Sequence, residues 1–152
     1  MKTRDKIKLN QTEIDEYLTN QKDIHVGSIN KDGSPHLITM WYAMRYSELI
    51  FHTYTKSQKI KNLLRDNRIT ILTESGETYE SLKGIMIYGN ATIIKGSDEP
   101  DCVLQVIKEV EEKYKKGSAS EDYIEFMRQQ TSKRSAVVVK IDKCISWDHS
   151  KI

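Results

Sequence analysis

Phe51-His52-Thr53-Tyr54-Thr55-Lys56-Ser57-Gln58-Lys59-Ile60-Lys61-Asn62-Leu63 reads as a strand that runs out through hydroxyl and lysine residues into the first turn of a helix. The strand begins at Leu49-Ile50, and Ser57 stands where an N-cap belongs. Ile60, Leu63 and Leu64 fall on one face of a helix expected from Gln58 to Asp66. Such a junction is an anion site, because the first helical amides point outward unpaired and the dipole favours negative charge there. Lys56, Lys59 and Lys61 oppose that dipole, each at roughly 0.3–1 kcal/mol on a surface. A local conflict of this kind marks functional sites, and a bound phosphate would reverse its sign. A solvated lysine-rich helix start is the alternative, and spacing alone does not separate the two.

Working outward, strand signals dominate. Residues 1–9 read as a basic, loose arm, and Asn10 with Glu13 forms a capping-box pattern ahead of Ile14, Tyr17 and Leu18. Asp23 to Asn30 and Pro35 to Met44 read as two strands around Lys31-Asp32-Gly33-Ser34. With Asp32-Gly33 as a two-residue loop, His36 faces Ile29. Leu49 to Tyr54 is then the third strand, and Arg68 to Glu74 returns after the helix. Ser81 to Lys95 is a long strand in which Gly84 and Gly89 imply bulges or a barrel corner. Pro100 opens a helix carrying Val103, Val106, Ile107, Val110 and Tyr114, and Glu121 to Gln130 gives another. Ala136 to Ile141 and Cys144 to Trp147 close the chain as two strands. The fold expected is mainly β with helical insertions, a six- to seven-stranded antiparallel barrel, in one domain over 1–152.

Composition removes several classes. A chain of 152 residues with 38% hydrophobic residues buries a core without metals or disulfides. A net charge of +2 is too mild for nucleic acid as the default partner. No apolar run spans a bilayer, the first residues lack a secretory signal, and Cys102 and Cys144 form no framework. A reducing cytoplasm is the simplest compartment. His25, His36, His52 and His149 have no metal-ligand spacing, and Gly84 to Gly89 lacks the Lys-Ser/Thr of a phosphate loop.

The opening stretch also resembles the phosphate-binding segment of the pyridoxamine 5′-phosphate oxidase-like family of split barrels that bind FMN or the deazaflavin coenzyme F-420. The resemblance extends through Ile24-His25-Val26-Gly27-Ser28-Ile29 and its Asp32-Gly33-Ser34-Pro35 turn. It continues through Ile38-Thr39-Met40-Trp41-Tyr42, the Gly84 to Ala91 strand and an ending similar to Ile141 to Asp148. It implies an FMN-binding split β-barrel working as a homodimer, with the cofactor at the subunit interface and a small-molecule substrate. By the same resemblance Lys59 contacts the phosphate, helped by Lys56 and Ser57, while Gln58 stands where some members carry arginine; at the junction itself Thr55 and Ser57 add hydroxyl donors. Ile38, Thr39, Met40 and Trp41 lie along the ring system, and His52 and Thr53 precede the phosphate loop. Tyr79, Lys83 and Trp147 reach the cofactor from the second subunit.

The implied activity is that of an oxidoreductase moving a hydride between N5 of FMN or F-420 and a small organic substrate. Accordingly, no catalytic acid or base stands out. Ser146-Trp147-Asp148 and the surplus of lysines lean toward the deazaflavin, while either cofactor uses the same phosphate pocket. The competing reading is a non-catalytic split barrel that holds a flavin or haem. Trp41-Tyr42 fits core plus interface as well as cofactor stacking.

Overall fold

Leu49 and Phe51 turn to one side of their strand and Ile50 to the other, and all three are fully buried. A strand buried on both faces separates two cores, and that arrangement organises the molecule. The computed structural model describes residues 1–152. Its elements are α1 (Thr3–Lys6), α2 (Gln11–Asn20), β1 (Ile24–Ile29), β2 (Pro35–Met40), β3 (Ala43–Arg45) and β4 (Glu48–Tyr54). There follow α3 (Gln58–Arg65), β5 (Arg68–Ser75), β6 (Lys83–Lys95), α4 (Pro100–Lys115), α5 (Glu121–Arg128) and β7 (Arg134–Asp148). The seven strands form one antiparallel sheet in the order β2-β1-β5-β6-β7-β4-β3.

The sheet's two edges, β2 and β3, are consecutive segments of one run. Its first half pairs with β1 and its second with β4, so the sheet curls into a barrel without closing its hydrogen-bond ladder. The strand pattern predicts an antiparallel barrel, and this is the split form of it that the resemblance implies. The run breaks at Trp41-Tyr42, which makes Leu49–Tyr54 part of the fourth strand and not the third. At the break the Tyr42 N–H donates to the Tyr114 hydroxyl at 3.1 Å, and Tyr42 donates its own hydroxyl to the Leu18 carbonyl. Trp41 stacks on the Tyr114 ring, with centroids 4.1 Å apart and planes at 16°.

The barrel core holds Ile24, Val26, Phe51, Ile71, Ile85, Ile87 and Val137, with Ile60 and Leu63 of α3 closing over it. The second core lies outside the barrel wall, where Val103, Val106, Ile107 and Val110 of α4 cover Ile50 and Ala136. Helix α2 starts as expected, with the reciprocal Asn10–Glu13 capping box in place.

Four local expectations are corrected. The first nine residues are not loose: Leu9 is buried, and the Asp148 amide donates to the Ile7 carbonyl at 2.8 Å. The β1–β2 loop has three residues, since Asn30 and Ser34 still pair and Gly33 takes a φ of 87°. The register therefore moves by one, and His36 stands opposite Ser28, not Ile29. Leu64 is exposed, and α3 stops at Arg65. The closing pair of strands is a single strand, β7, in which Asp142 is an extra residue between Ile141 opposite Gly89 and Lys143 opposite Tyr88. The bulge expected at Gly89 is thus real. Gly84 has another purpose: a Cβ there would lie 2.4 Å from the Trp147 ring.

Candidate functional site

At the mouth of the barrel, β4 ends in Tyr54 and the chain turns through Thr55 and Lys56 into α3. Ser57 occupies the N-cap position but makes no capping bond, and its hydroxyl is buried without a partner. Lys59 is only 8% exposed, and its ammonium donates to the Thr53 hydroxyl at 2.9 Å. Burial lowers its pKa. An ammonium carries three donors, so one neutral acceptor leaves it short of partners in a place where an unpaired charge is costly.

Beneath it lies a polar hub that sequence reasoning missed. Asn62 is fully buried, and its amide donates to the Ser28 hydroxyl at 3.1 Å and to Asn30 Oδ1 at 2.9 Å. Its oxygen accepts from Gln58 and from Arg65, and Arg65 also donates to the Ile29 carbonyl. The hub ties α3 to the β1–β2 hairpin. A buried asparagine amid leucine and isoleucine at helical spacing was the available signal. His36, set opposite Ser28, shares a 440 Å³ recess with Gln58, Asn30, Lys31 and Asp32, and its Nδ1 is buried without a partner.

The residues expected to act together divide into three groups. Thr53, Ser57 and Lys59 meet at the start of α3, with Lys56 exposed beside them and the Thr55 hydroxyl 2.7 Å from that of Ser135. Ile38, Thr39, Met40 and Trp41 lie on the edge strand and the break that follows it, and all but Met40 are well exposed. Thr39 is 3.3 Å from the ring of His25. His52 is not brought to α3. Strand alternation turns it to the face opposite Thr53, where its Nδ1 accepts from Arg134 at 3.2 Å. Burial and the adjacent guanidinium push its pKa down to about 4.

Tyr79, Lys83 and Trp147 gather at the far end. Lys83 pairs with Asp148 at 3.5 Å, Tyr79 packs edge-on against His149, and Trp147 covers Gly84. Twelve residue steps along β7 lead from Ser135, beside Thr55, to Trp147. That is about 40 Å of strand at roughly 3.3 Å per residue. The contacts these three make are with Tyr17, Asp148, His149 and Gly84, none of them at the start of α3.

A second lysine is buried outside this region. Lys113 of α4 lies with its ammonium 3.5 Å from the Tyr42 ring centroid and finds no hydrogen-bond partner. Burial pushes its pKa down to about 8. Its folded pKa is thus below its unfolded value, so the ionised form penalises folding below about pH 8, and the penalty fades as pH rises toward 10.5. In urea denaturation from pH 8 to 10 the wild type is expected to gain stability relative to Lys113→Met. Parallel pH profiles would refute this.

No cluster of three or more His, Cys, Asp or Glu residues is placed to hold a metal, and no helix is long and apolar enough to cross a membrane. Fold and site together define an antiparallel split barrel with a lysine-bearing helix N-terminus at its mouth. The chain belongs to the family described as pyridoxamine 5′-phosphate oxidase, whose model matches residues 11–148. It is 34% identical to a conserved hypothetical protein of Mycobacterium tuberculosis, covering 99% of this chain and 92% of that one, with a TM-score of 0.88. An F-420 reductase superposes at a TM-score of 0.66 with 18% identity, over 86% of this chain and 94% of that one. The haem storage protein of Vibrio cholerae does so at 0.69 with 14% identity, over 92% and 97%. At those identities the last two show the shared fold. No curated protein matches the sequence significantly.

Proposed function

We propose that the protein is a homodimeric oxidoreductase that binds FMN or coenzyme F-420 and transfers a hydride to or from a small organic substrate. The observation that carries the reading is Lys59, nine-tenths buried at a helix N-terminus with only the Thr53 hydroxyl for company. The buried, unpartnered Ser57 hydroxyl beside it is a second donor lacking an acceptor. A phosphate supplies the acceptors both lack, and the α3 amides add to its grip. FMN and F-420 share that group, and the residues present fit it.

When bound, either cofactor supplies hydride chemistry at N5. The chain's own task is to hold and orient. Lys59, Ser57 and the first amides of α3 anchor the phosphate. The exposed backbone from Ile38 to Trp41 lies along the ring, and Thr39 with His25 offers polar atoms at its side. Such positioning lowers the barrier without any dedicated acid or base.

The outer face of the sheet supports the dimeric reading. His25, Leu72, Met86 and Ile145 stand in one row across β1, β5, β6 and β7, all half-buried, with Leu37 70% exposed and Tyr88 42% exposed alongside. A contiguous apolar sheet face of this kind marks an interaction surface. By the family resemblance, a second copy covering it brings its own Tyr79, Lys83 and Trp147 toward the cofactor.

The test is titration with FMN, F-420 and riboflavin, followed by fluorescence. Lys59→Met keeps the stem that fills the space and removes the charge. It is expected to weaken FMN and F-420 by roughly 10- to 150-fold, the worth of about 1.5–3 kcal/mol for a charged hydrogen bond. Riboflavin, which has no phosphate, should be unaffected. Failure of the wild type to bind either phosphorylated cofactor at micromolar concentration would sink the reading. A Soret band on adding haem would then favour the non-catalytic alternative.

A further inference from the structure

On the reading that Ile38–Trp41 line the cofactor ring, we propose that Tyr114 of α4 is a positioning residue for that ring, acting through Trp41. The chain leaves β2 through two adjacent aromatic residues with opposite fates. Tyr42 is fully buried, and its hydroxyl is bonded to the Leu18 carbonyl. Trp41 is 51% exposed. Two consecutive residues of α4 hold this pair. Lys113 lies over the Tyr42 ring, and Tyr114 stacks on the Trp41 indole with centroids 4.1 Å apart. The Tyr114 hydroxyl accepts from the Tyr42 N–H and donates to the Lys22 carbonyl, so its ring is tied at the tip as well as packed on a face.

An exposed side chain ordinarily changes rotamer freely. A fixed ring against one face of the indole removes that freedom before any ligand arrives, and ordering a side chain in advance lowers the cost of binding. The other face of the indole stays open, next to an edge strand. β2 has β1 as its one neighbour, so alternate backbone N–H and C=O groups along Ile38–Met40 point away from the sheet with no strand to bond. An aromatic face beside a row of amide donors and acceptors suits a flat heteroaromatic ring that carries N–H and C=O groups along its own edge. The pyrimidine end of a flavin or deazaflavin has that edge, and its faces stack. Neither the indole nor the strand edge senses the phosphate.

The consequence is a loss that follows the ring and ignores the phosphate, the reverse of that expected for Lys59→Met. Tyr114→Leu removes the backing ring. It is expected to weaken FMN and riboflavin by the same factor, roughly 2- to 12-fold, the worth of one aromatic pair. Trp41→Leu should do the same, and the emission of bound riboflavin, quenched by a stacked indole, should rise in both variants. The double variant shows whether Tyr114 acts through Trp41: with the indole gone, Tyr114→Leu should cost no further affinity. A further loss there would make Tyr114 an ordinary packing residue and overturn the proposal. A loss confined to FMN would also overturn it, as would wild-type riboflavin affinity and quenching in Trp41→Leu. Should Tyr114→Leu fold poorly, Tyr114→Phe replaces it. That change frees the tip of the ring, so a smaller loss, equal for FMN and riboflavin and absent once Trp41 is Leu, is required, and unchanged affinity refutes the assignment. Trp41→Leu must also elute from a sizing column as the wild type does, because a smaller species would assign the indole to a subunit interface instead. Each of these failures leaves the Lys59 site standing, whereas a wild type that binds none of FMN, F-420 and riboflavin overturns both readings.

Discussion

Between pH 6.5 and pH 4 the protein is expected to lose up to about 3 kcal/mol of stability through His52 alone. The group is ionised below about pH 6.5 in the unfolded chain but stays neutral in the folded one until about pH 4. A depressed histidine pKa means that the unfolded state takes up the proton first. Stability is therefore complete above pH 6.5 and falls as pH drops through the interval. The structural cause is specific. His52 lies on β4 opposite Ala136 of β7, its Nδ1 accepts from Arg134, and a proton there would meet a guanidinium at 3.2 Å. Arg134 is itself held over the Tyr54 ring and has no easy retreat. His52→Gln keeps an acceptor toward Arg134 and removes the titration. Urea midpoints at pH 7 and pH 4.5 should differ far more for wild type than for the variant. Asp66, held down to about 2 by Arg68, titrates below this window in both proteins. Equal losses in the two would show that the acid response arises elsewhere.

His52 also shows where sequence reading succeeds and stops. The order of strands, the α3 junction and the capping box at Asn10 were legible because each rests on a local pattern: period-two alternation, an N-cap, a reciprocal Asn–Glu pair. The pairing of Thr53 with Lys59 is nearly as local, six residues apart across one turn. His52 was placed with Thr53 by adjacency in the chain, whereas strand geometry sends neighbours to opposite faces. His36 was lost to a single residue of loop length, since a two-residue turn and a three-residue turn differ by one step of register. Asn62 read as one polar residue on an apolar helix, because its four partners come from β1, its hairpin and two sites on α3. The break at Trp41-Tyr42 was invisible for a similar reason. It is made by Tyr114, seventy-two residues later in the chain.

The long-range junction most exposed to a single atom is at Gly96, where β6 hands over to the loop before α4. Its amide donates to the Arg134 carbonyl at 2.8 Å, and a Cβ would stand 1.7 Å from the Thr131 carbonyl oxygen. That neighbour is backbone, at the turn leading from α5 into β7, so it cannot rotate aside as a side chain would. Gly96→Ala must separate β6 from the 131–134 segment, and with it loosen the α4–α5 layer that covers Ile50 and Ala136. Overpacking of this kind costs about 3 kcal/mol. For a chain of this size that lowers Tm by roughly 6–12 °C. Gly117→Ala is the matched control: its nearest neighbour is a carbonyl at 4.0 Å, and it should be within about 0.5 kcal/mol of wild type. Because Gly96 is joined to β7 beside Ser135, and Ser135 touches Thr55, the strain should also reach the α3 junction. Gly96→Ala is therefore expected to weaken FMN binding while Gly117→Ala leaves it intact. A destabilised variant with unchanged FMN affinity would show instead that the barrel mouth is held by the Asn62 hub alone.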